Sequence, residues 1–266
     1  MSLRLYLDSA PQPRTPDGSA GEWADFFHGA TELEAKSWPP LLWWAMFGTG
    51  DLLEARFADT ADAGTEEHAE LLSEWGDATY PYLVVDQRTA VQRLRTRKDG
   101  LISRLGTRFS PLYDEFVAFV EDRYAPYVLL RTEGLDHGNG TTGLQFAKTL
   151  ADLERLDTGL DLGDGGPVES LVADFLRWRH TDPVRLLSGA GDGWPSEALK
   201  EHFARPARGV ARRDGDSATT GPRWGLLVIG VCAVAAYAFT GQVWPVVVTL
   251  GAGGGVLVAR AVRRRR

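Results

Sequence analysis

The stretch WGLLVIGVCAVAAYAFTGQVWPVVVTLGAGGGVLVA, residues Trp224–Ala259, contains no charged residue over 36 positions. An uncharged run longer than about 18 apolar residues is typical of a membrane-spanning segment, because a folded surface in water needs charged side chains. One straight helix of this length would measure roughly 54 Å, whereas the hydrocarbon core of a bilayer is about 30 Å thick. The stretch therefore predicts a membrane anchor that is broken into more than one helix.

The break is predicted at Thr240-Gly241-Gln242, the polar cluster inside the run, which Pro245 follows closely. Proline is tolerated in the first turn of a helix and disrupts its interior. We therefore predict a transmembrane hairpin of two short helices, Trp224–Phe239 and Val243–Val262.

Aromatic and small residues of this hairpin have positions that suit a bilayer. Trp224 and Trp244 fall where interfacial aromatic side chains are expected. Gly251 and Gly255 have the small-xxx-small spacing that lets helices approach closely in lipid. This packing either stays within the hairpin or joins two copies into a homo-oligomer.

Arginines on both sides of the run predict its topology. Arg223 immediately precedes the run, Arg260 immediately follows it, and the turn between the helices has no charge. Positively charged flanks remain on the cytoplasmic side, so two spans would place both termini in the cytoplasm. The alternative is one tilted span, with the rest of the run lying in the membrane interface. It would place the arginines on one side of the run outside the cytoplasm. We expect a multi-pass protein of the inner (plasma) membrane that contacts its lipids.

Charge divides the chain sharply. Residues 1–204 hold 19 Lys and Arg against 34 Asp and Glu, a net charge of −15, whereas residues 205–266 hold 10 Arg against 2 Asp, a net charge of +8. We predict an acidic cytoplasmic domain at 1–204, a basic flexible linker at 205–223, the hairpin at 224–262 and a basic cytoplasmic tail at 263–266. The acidic balance argues against a nucleic-acid partner, which requires a basic face. The one cysteine, Cys232, is consistent with a reducing compartment.

The pattern of residues 1–204 predicts an α+β fold, a helix-rich domain with a small sheet. Alternation and apolar runs predict strands at Leu3–Leu7, Tyr82–Val85 and Tyr127–Thr132. Helical periodicity predicts helices at 22–29, 41–47, 51–57, 65–75, 87–98, 111–123, 144–156, 168–179 and 195–203, with a loop at 8–21. Ser37 and Ser110 are predicted N-caps. The aromatic segment Trp38–Phe47 predicts a core helix or, alternatively, a groove for an apolar ligand or partner helix.

One loop has a sequence typical of phosphate binding. Gly138, Gly140 and Gly143 form the pattern G-x-G-x-x-G between a predicted strand and a predicted helix, and His137 lies beside it. Backbone N–H groups at a helix N-terminus can hold a phosphate. Residues 133–137 separate the strand from the first glycine, and no second strand ends in an acid about 20 residues later, as the dinucleotide fingerprint requires. The alternative is a surface loop in which Thr141 or Thr142 caps the next helix.

Other candidate patterns predict no catalytic residue, no metal site and no cofactor. The five histidines have no metal-ligand spacing with one another or with Cys232. Basic residues concentrate between positions 93 and 108 and favour either a solvated helix or a site for an acidic partner, a phosphate or the membrane face. They are Arg93, Arg95, Arg97, Lys98, Arg104 and Arg108.

The composition resembles that of membrane-anchored proteins of streptomycetes. Arginine outnumbers lysine 25 to 4, and the chain holds one asparagine and two isoleucines. Such a bias is typical of a GC-rich genome. The resemblance implies an actinobacterial membrane protein and assigns no activity to it.

Three functional hypotheses follow from the sequence. The first is a membrane-tethered cytoplasmic domain for protein interaction, sensing or immunity-like protection, with a protein partner. The second is a membrane-anchored enzyme or binder that acts on a nucleotide or a phosphorylated ligand through the loop from Gly138 to Gly143. The third is an oligomeric membrane element, formed by the hairpin and regulated by the acidic domain.

Overall fold

A six-stranded antiparallel sheet forms the centre of the fold. The computed structural model describes residues 4–135 and 141–204, and they belong to the first of two units, Met1–Ala207 and Arg208–Arg266. The spatial order of the strands is β3-β4-β5-β1-β2-β6, and every neighbouring pair is antiparallel. The strands are β1 (Arg4–Ala10), β2 (Glu32–Lys36), β3 (Leu52–Arg56), β4 (Thr79–Asp86), β5 (Tyr127–Arg131) and β6 (Ala190–Gly191).

The helices lie between these strands in the chain and pack on both faces of the sheet. They are α1 (Glu22–Phe26), α2 (Leu41–Trp44), α3 (Glu66–Trp75), α4 (Gln87–Leu105), α5 (Ser110–Arg123), α6 (Thr142–Asp157), α7 (Pro167–Trp178), α8 (Pro183–Ser188) and α9 (Glu197–Phe203). Side-chain caps define the starts of several of them. Thr65, Asp86 and Ser196 each accept a hydrogen bond from the backbone N–H three residues later, which satisfies a donor that the helix itself leaves open.

The two faces of the sheet bury different kinds of side chain. Successive side chains of a strand point to opposite faces, so Leu5 and Leu7 of β1 face one way while Tyr6 and Asp8 face the other. Leu5 and Leu7 join the larger core, to which α2, α4, α5, α6, α7, α8 and α9 contribute. We call this side the helix face. The opposite side, which we call the aromatic face, is covered by α1 and by the 3-10 helix Phe57–Thr60.

The apolar segment that contains α2 forms the middle of the larger core. Every residue from Leu41 to Phe47 is at most 3 % exposed, so the core interpretation is confirmed for these seven residues. Trp38, at the start of the predicted segment, is only partly buried. The indole Nε1 of Trp43 donates a hydrogen bond to the backbone oxygen of Ser188 over 2.8 Å. Arg97 of α4, which is fully buried, donates to the backbone oxygens of Ala45 (3.1 Å) and Phe47 (2.7 Å) and forms a two-pronged ion pair with Asp157.

The α+β class is confirmed for the described residues, but the sheet has six strands where the sequence predicts three. The prediction of a helix at 51–57 is wrong, because Leu52–Arg56 pairs with β4 as strand β3. β1 extends to Ala10, so the loop predicted at 8–21 begins too early. The capping predictions are wrong too: Ser37 lies in the left-handed region at φ 68°, before α2, and Ser110 is the first residue of α5 rather than its cap.

The predicted anchor lies outside the described residues. None of the helices in residues 4–135 and 141–204 has both the length and the apolarity to cross a membrane.

Candidate functional site

The glycine loop lies partly outside the described residues. Gly143 is the second residue of α6, and His137, Gly138 and Gly140 fall in the gap at 136–140. β5 and α6 flank the loop, as the sequence predicts. However, β5 is antiparallel to both of its neighbours, β1 and β4, whereas the dinucleotide-binding fingerprint belongs to a parallel β-α-β unit. Phosphate binding by this loop remains a prediction, without the support of that fold.

The anchor residues named from the sequence also lie outside the described residues. They are Arg223, Trp224, Trp244, Gly251, Gly255 and Arg260.

Just before the glycine loop, β5 ends in an arginine that binds three carboxylates. Arg131 Nε donates to Asp8 Oδ2 over 2.7 Å, Nη1 to Glu133 Oε1 over 3.1 Å and Nη2 to Glu32 Oε2 over 3.3 Å. Asp8 lies in β1 and Glu32 lies opposite it in β2, so three neighbouring strands place these groups together. We call the four residues the Arg131 cluster.

Aromatic rings cover the guanidinium of Arg131. Its central carbon lies 4.5 Å from the ring centre of Tyr6, 4.6 Å from that of Phe27 and 6.0 Å from that of Trp23. A cation near an aromatic face is attracted by the ring quadrupole, more strongly where water is excluded. The rings therefore hold the arginine in place and lower the dielectric around its carboxylate partners.

The cluster holds more acids than its one cation neutralises. Asp8 is 1 % exposed, and burial raises its pKa to about 7, although Arg131 lowers it; the nearby Glu32 and Glu133 raise it further. Burial lowers the pKa of Arg131, but the surrounding carboxylates raise it by more, so the guanidinium stays charged. Glu133 Oε2 is buried without a hydrogen-bond partner. The arrangement can therefore bind and release a proton near neutral pH.

The Arg131 cluster was missed from the sequence. One feature of the sequence points to part of the cluster: Asp8 lies within the alternating strand pattern from Arg4 to Ala10, so an acidic side chain is placed on one face of a strand. The alternation Glu-Leu-Glu-Ala-Lys at Glu32–Lys36 is a second strand signal that places two acids on the same face. The described residues contain no group of three or more His, Cys, Asp or Glu arranged to hold a metal ion.

The basic concentration between positions 93 and 108 is mostly neutralised within the domain. Arg93 pairs with Asp51, Arg95 with Glu121, Arg97 with Asp157, Lys98 with Asp114 and Arg104 with Glu169. Arg108 instead lies over the ring of Phe109 at 4.4 Å. These side chains therefore hold α4 against neighbouring elements, which leaves little of their charge for an external phosphate.

Three hollows lie on the side of the domain formed by α6, α7, α8 and α9. One of about 330 Å³ lies between α6 and α7, over Trp38. A second, of about 240 Å³, shares Trp38 and Leu171 with the first and includes Trp178 and Leu186. The third, of about 510 Å³, is lined by residues that lie between Thr181 and Ala204 in the chain, including both of these.

Comparison of the chain with protein-family models, curated proteins and solved structures gives no match.

Proposed function

We propose that the protein is a cytoplasmic interaction or sensing domain held at a bacterial plasma membrane by a C-terminal two-helix hairpin. The observation that carries the proposal is the uncharged run Trp224–Ala259, with arginines on both flanks. Burying such a run in lipid removes a large apolar area from water, and the flanking arginines keep both ends on the cytoplasmic side. An immunity-like protective role belongs to the same class of function.

An interaction role is favoured over catalysis by the way the domain uses its polar groups. Its least exposed cations are bound within the fold, since Arg97 is held by Asp157 and two carbonyls and Arg131 is held by three carboxylates. The net charge of −15 in residues 1–204 favours a basic protein partner, since complementary charge increases association rates and disfavours wrong partners. It also disfavours a nucleic-acid partner.

The anchor is tested by fractionation of the full-length protein expressed in bacteria. We expect it in the high-speed pellet after alkaline carbonate extraction, and we expect reporters fused to either terminus to indicate the cytoplasm. The double variant Ile229→Lys/Val247→Lys should be released, because a lysine at the centre of a membrane helix costs about 3 kcal/mol, whereas the matched Ile229→Leu/Val247→Leu should remain. Wild-type protein that stays in a detergent-free supernatant as a monomer would overturn the proposal.

A second candidate function is the binding of a nucleotide or a phosphorylated ligand by the loop from Gly138 to Gly143. The observation that favours it is the strand β5 before the loop and the helix α6 after it. The Arg131 cluster at the end of β5 works against it, because three acids beside one arginine repel a phosphate. Nucleotides should raise the melting temperature of the full-length protein, and Gly140→Trp should abolish that rise. If no nucleotide shifts the melting temperature, this candidate fails.

The hairpin can also join two copies of the chain through the small residues at Gly251 and Gly255. Their spacing is what supports a homo-oligomer. Replacing both with leucine should shift crosslinked oligomers to monomers in membranes, and an unchanged crosslinking pattern would remove this role.

A further inference from the structure

The C-terminal end of α7 presents an exposed tryptophan between two exposed arginines. Trp178 is 53 % exposed, and Arg177 and Arg179 flank it in the chain. Leu186 of α8, which is 39 % exposed, lines the same 240 Å³ hollow as Trp178, and so do the exposed Lys36 and the exposed acid Asp174. We call Trp178, Arg177, Arg179, Leu186 and Lys36 the Trp178 patch. Its three basic residues outnumber the one acid beside it. A large aromatic side chain among cations is the combination found where proteins meet the headgroup region of a bilayer.

Arginines without an acidic partner are rare in this domain. Eleven of the fifteen arginines in residues 4–135 and 141–204 form an ion pair with an acid of the same domain. Arg177 and Arg179 are two of the four that do not, although acids outnumber basic residues in this domain by 34 to 19. Their charge therefore remains available to an external anion.

The patch lies on the side of the domain where the described part of the chain ends. Thr181, three residues after Trp178, and Ala204, the last described residue, line the same 510 Å³ cavity. Only 19 residues separate Ala204 from Trp224, and the flexible linker predicted there from the sequence would reach about 24 Å. A protein surface that is tethered this closely to a bilayer meets the lipids at a high effective concentration, so lipid contacts that are individually weak are enough to dock the surface onto the bilayer.

We propose that the Trp178 patch is a lipid-contact surface that docks the domain onto the anionic bilayer to which the chain is tethered. This inference rests on the proposed membrane anchor. Arg177, Arg179 and Lys36 attract anionic headgroups, and each contributes about 1 kcal/mol, or about fivefold. Trp178 and Leu186 enter the interface. The net negative charge of the domain does not prevent docking, because charges farther than about 8 Å are largely screened at physiological ionic strength.

The test uses the full-length chain in vesicles, with Cys232→Ala and a single fluorescent label at Leu186→Cys. Nitroxide lipids should quench this label in vesicles that contain 30% phosphatidylglycerol and much less in pure phosphatidylcholine. Arg177→Ala/Arg179→Ala should lower the docking equilibrium constant about 25-fold, at about fivefold for each arginine. The matched control is Arg88→Ala, which removes another exposed arginine outside the ion pairs and should leave quenching unchanged. A label at Glu70→Cys on α3 should not be quenched.

The outcomes separate this inference from the anchor itself. Flotation of the protein with vesicles, together with quenching at position 186 that depends on phosphatidylglycerol and on the two arginines, supports it. Flotation without such quenching overturns the docking surface and leaves the anchor intact. Protection of the label that depends on protein concentration instead of lipid charge assigns the patch to a second copy and overturns the inference. A failure to float overturns the proposed function as well.

Discussion

Each face of the sheet holds an arginine that has little exposure to solvent, but the partners of the two arginines differ. On the helix face, Arg97 is fully buried and has one carboxylate partner, Asp157, and two backbone carbonyls. On the aromatic face, Arg131 is 13 % exposed at its side chain and shares three carboxylates. The first arrangement balances charge and fixes the packing of α4 against α2. The second leaves an excess of acid, so its energy depends on pH.

The largest effect is expected where the balanced charge is removed from the helix face. Arg97→Met would leave the carbonyls of Ala45 and Phe47 without their donor and Asp157 without its cation. Breaking a buried pair on one side costs about 3–5 kcal/mol, a large fraction of the total stability of a domain. Chemical denaturation should show this loss, equally at pH 6 and pH 8. Arg95→Met, which removes an exposed pair with Glu121, should cost about 1 kcal/mol or less.

On the aromatic face, the stability of the domain should fall as pH rises. The pKa of Asp8 is about 7 in the folded state against an ordinary value of 3.8, so the folded state holds a proton that the unfolded chain has lost. That contribution is complete below about pH 4 and is lost as pH rises to about 7, a change of up to about 4 kcal/mol at about 1.4 kcal/mol per pH unit. The pKa of Asp86 is lowered, so its contribution to the stability of the domain has the opposite pH dependence. That contribution is present at neutral pH and is lost only as pH falls below the usual pKa of an aspartate.

Asp8→Asn keeps the shape of the side chain and removes its titration. We expect denaturation midpoints of this variant to change little between pH 4.5 and pH 7.5, while those of the wild type decline over the same range. An equal decline in both proteins would show that Asp8 does not titrate in this window.

A third effect tests whether the helix face depends on shape alone. Trp43→Phe removes the hydrogen bond to Ser188 and part of a fully buried ring. A cavity and an unpaired carbonyl together should cost about 2–3 kcal/mol, without pH dependence. Trp75→Phe is the matched control, because Trp75 is 36 % exposed and should lose less than about 1 kcal/mol. A large loss in the control would show that the two sites differ less than their burial indicates.

The helix face was largely predictable from the sequence, and the aromatic face was not. Helices such as α5 repeat apolar residues with the helical period, so their buried stripes can be identified locally. β3 was predicted as a helix because Leu52–Arg56 is too short to show a period, and only its pairing with β4 makes it a strand. The Arg131 cluster joins Asp8 and Arg131 across 123 positions of the chain, and no local pattern indicates such a contact.

The smallest effect distinguishes the charge excess of the Arg131 cluster from burial alone. Glu133 lies beside Asp8 with one oxygen unpartnered, and its negative charge raises the pKa of Asp8. Glu133→Gln retains an oxygen for Arg131 Nη1 but removes that charge, so the pH at which stability declines should move down by about one pH unit or less. The same pH series of denaturation curves measures it, with the exposed Glu54→Gln on β3 as the control. If the midpoint stays at the wild-type pH, burial alone sets the pKa of Asp8, and the difference between the two faces lies in solvation rather than in the number of acids.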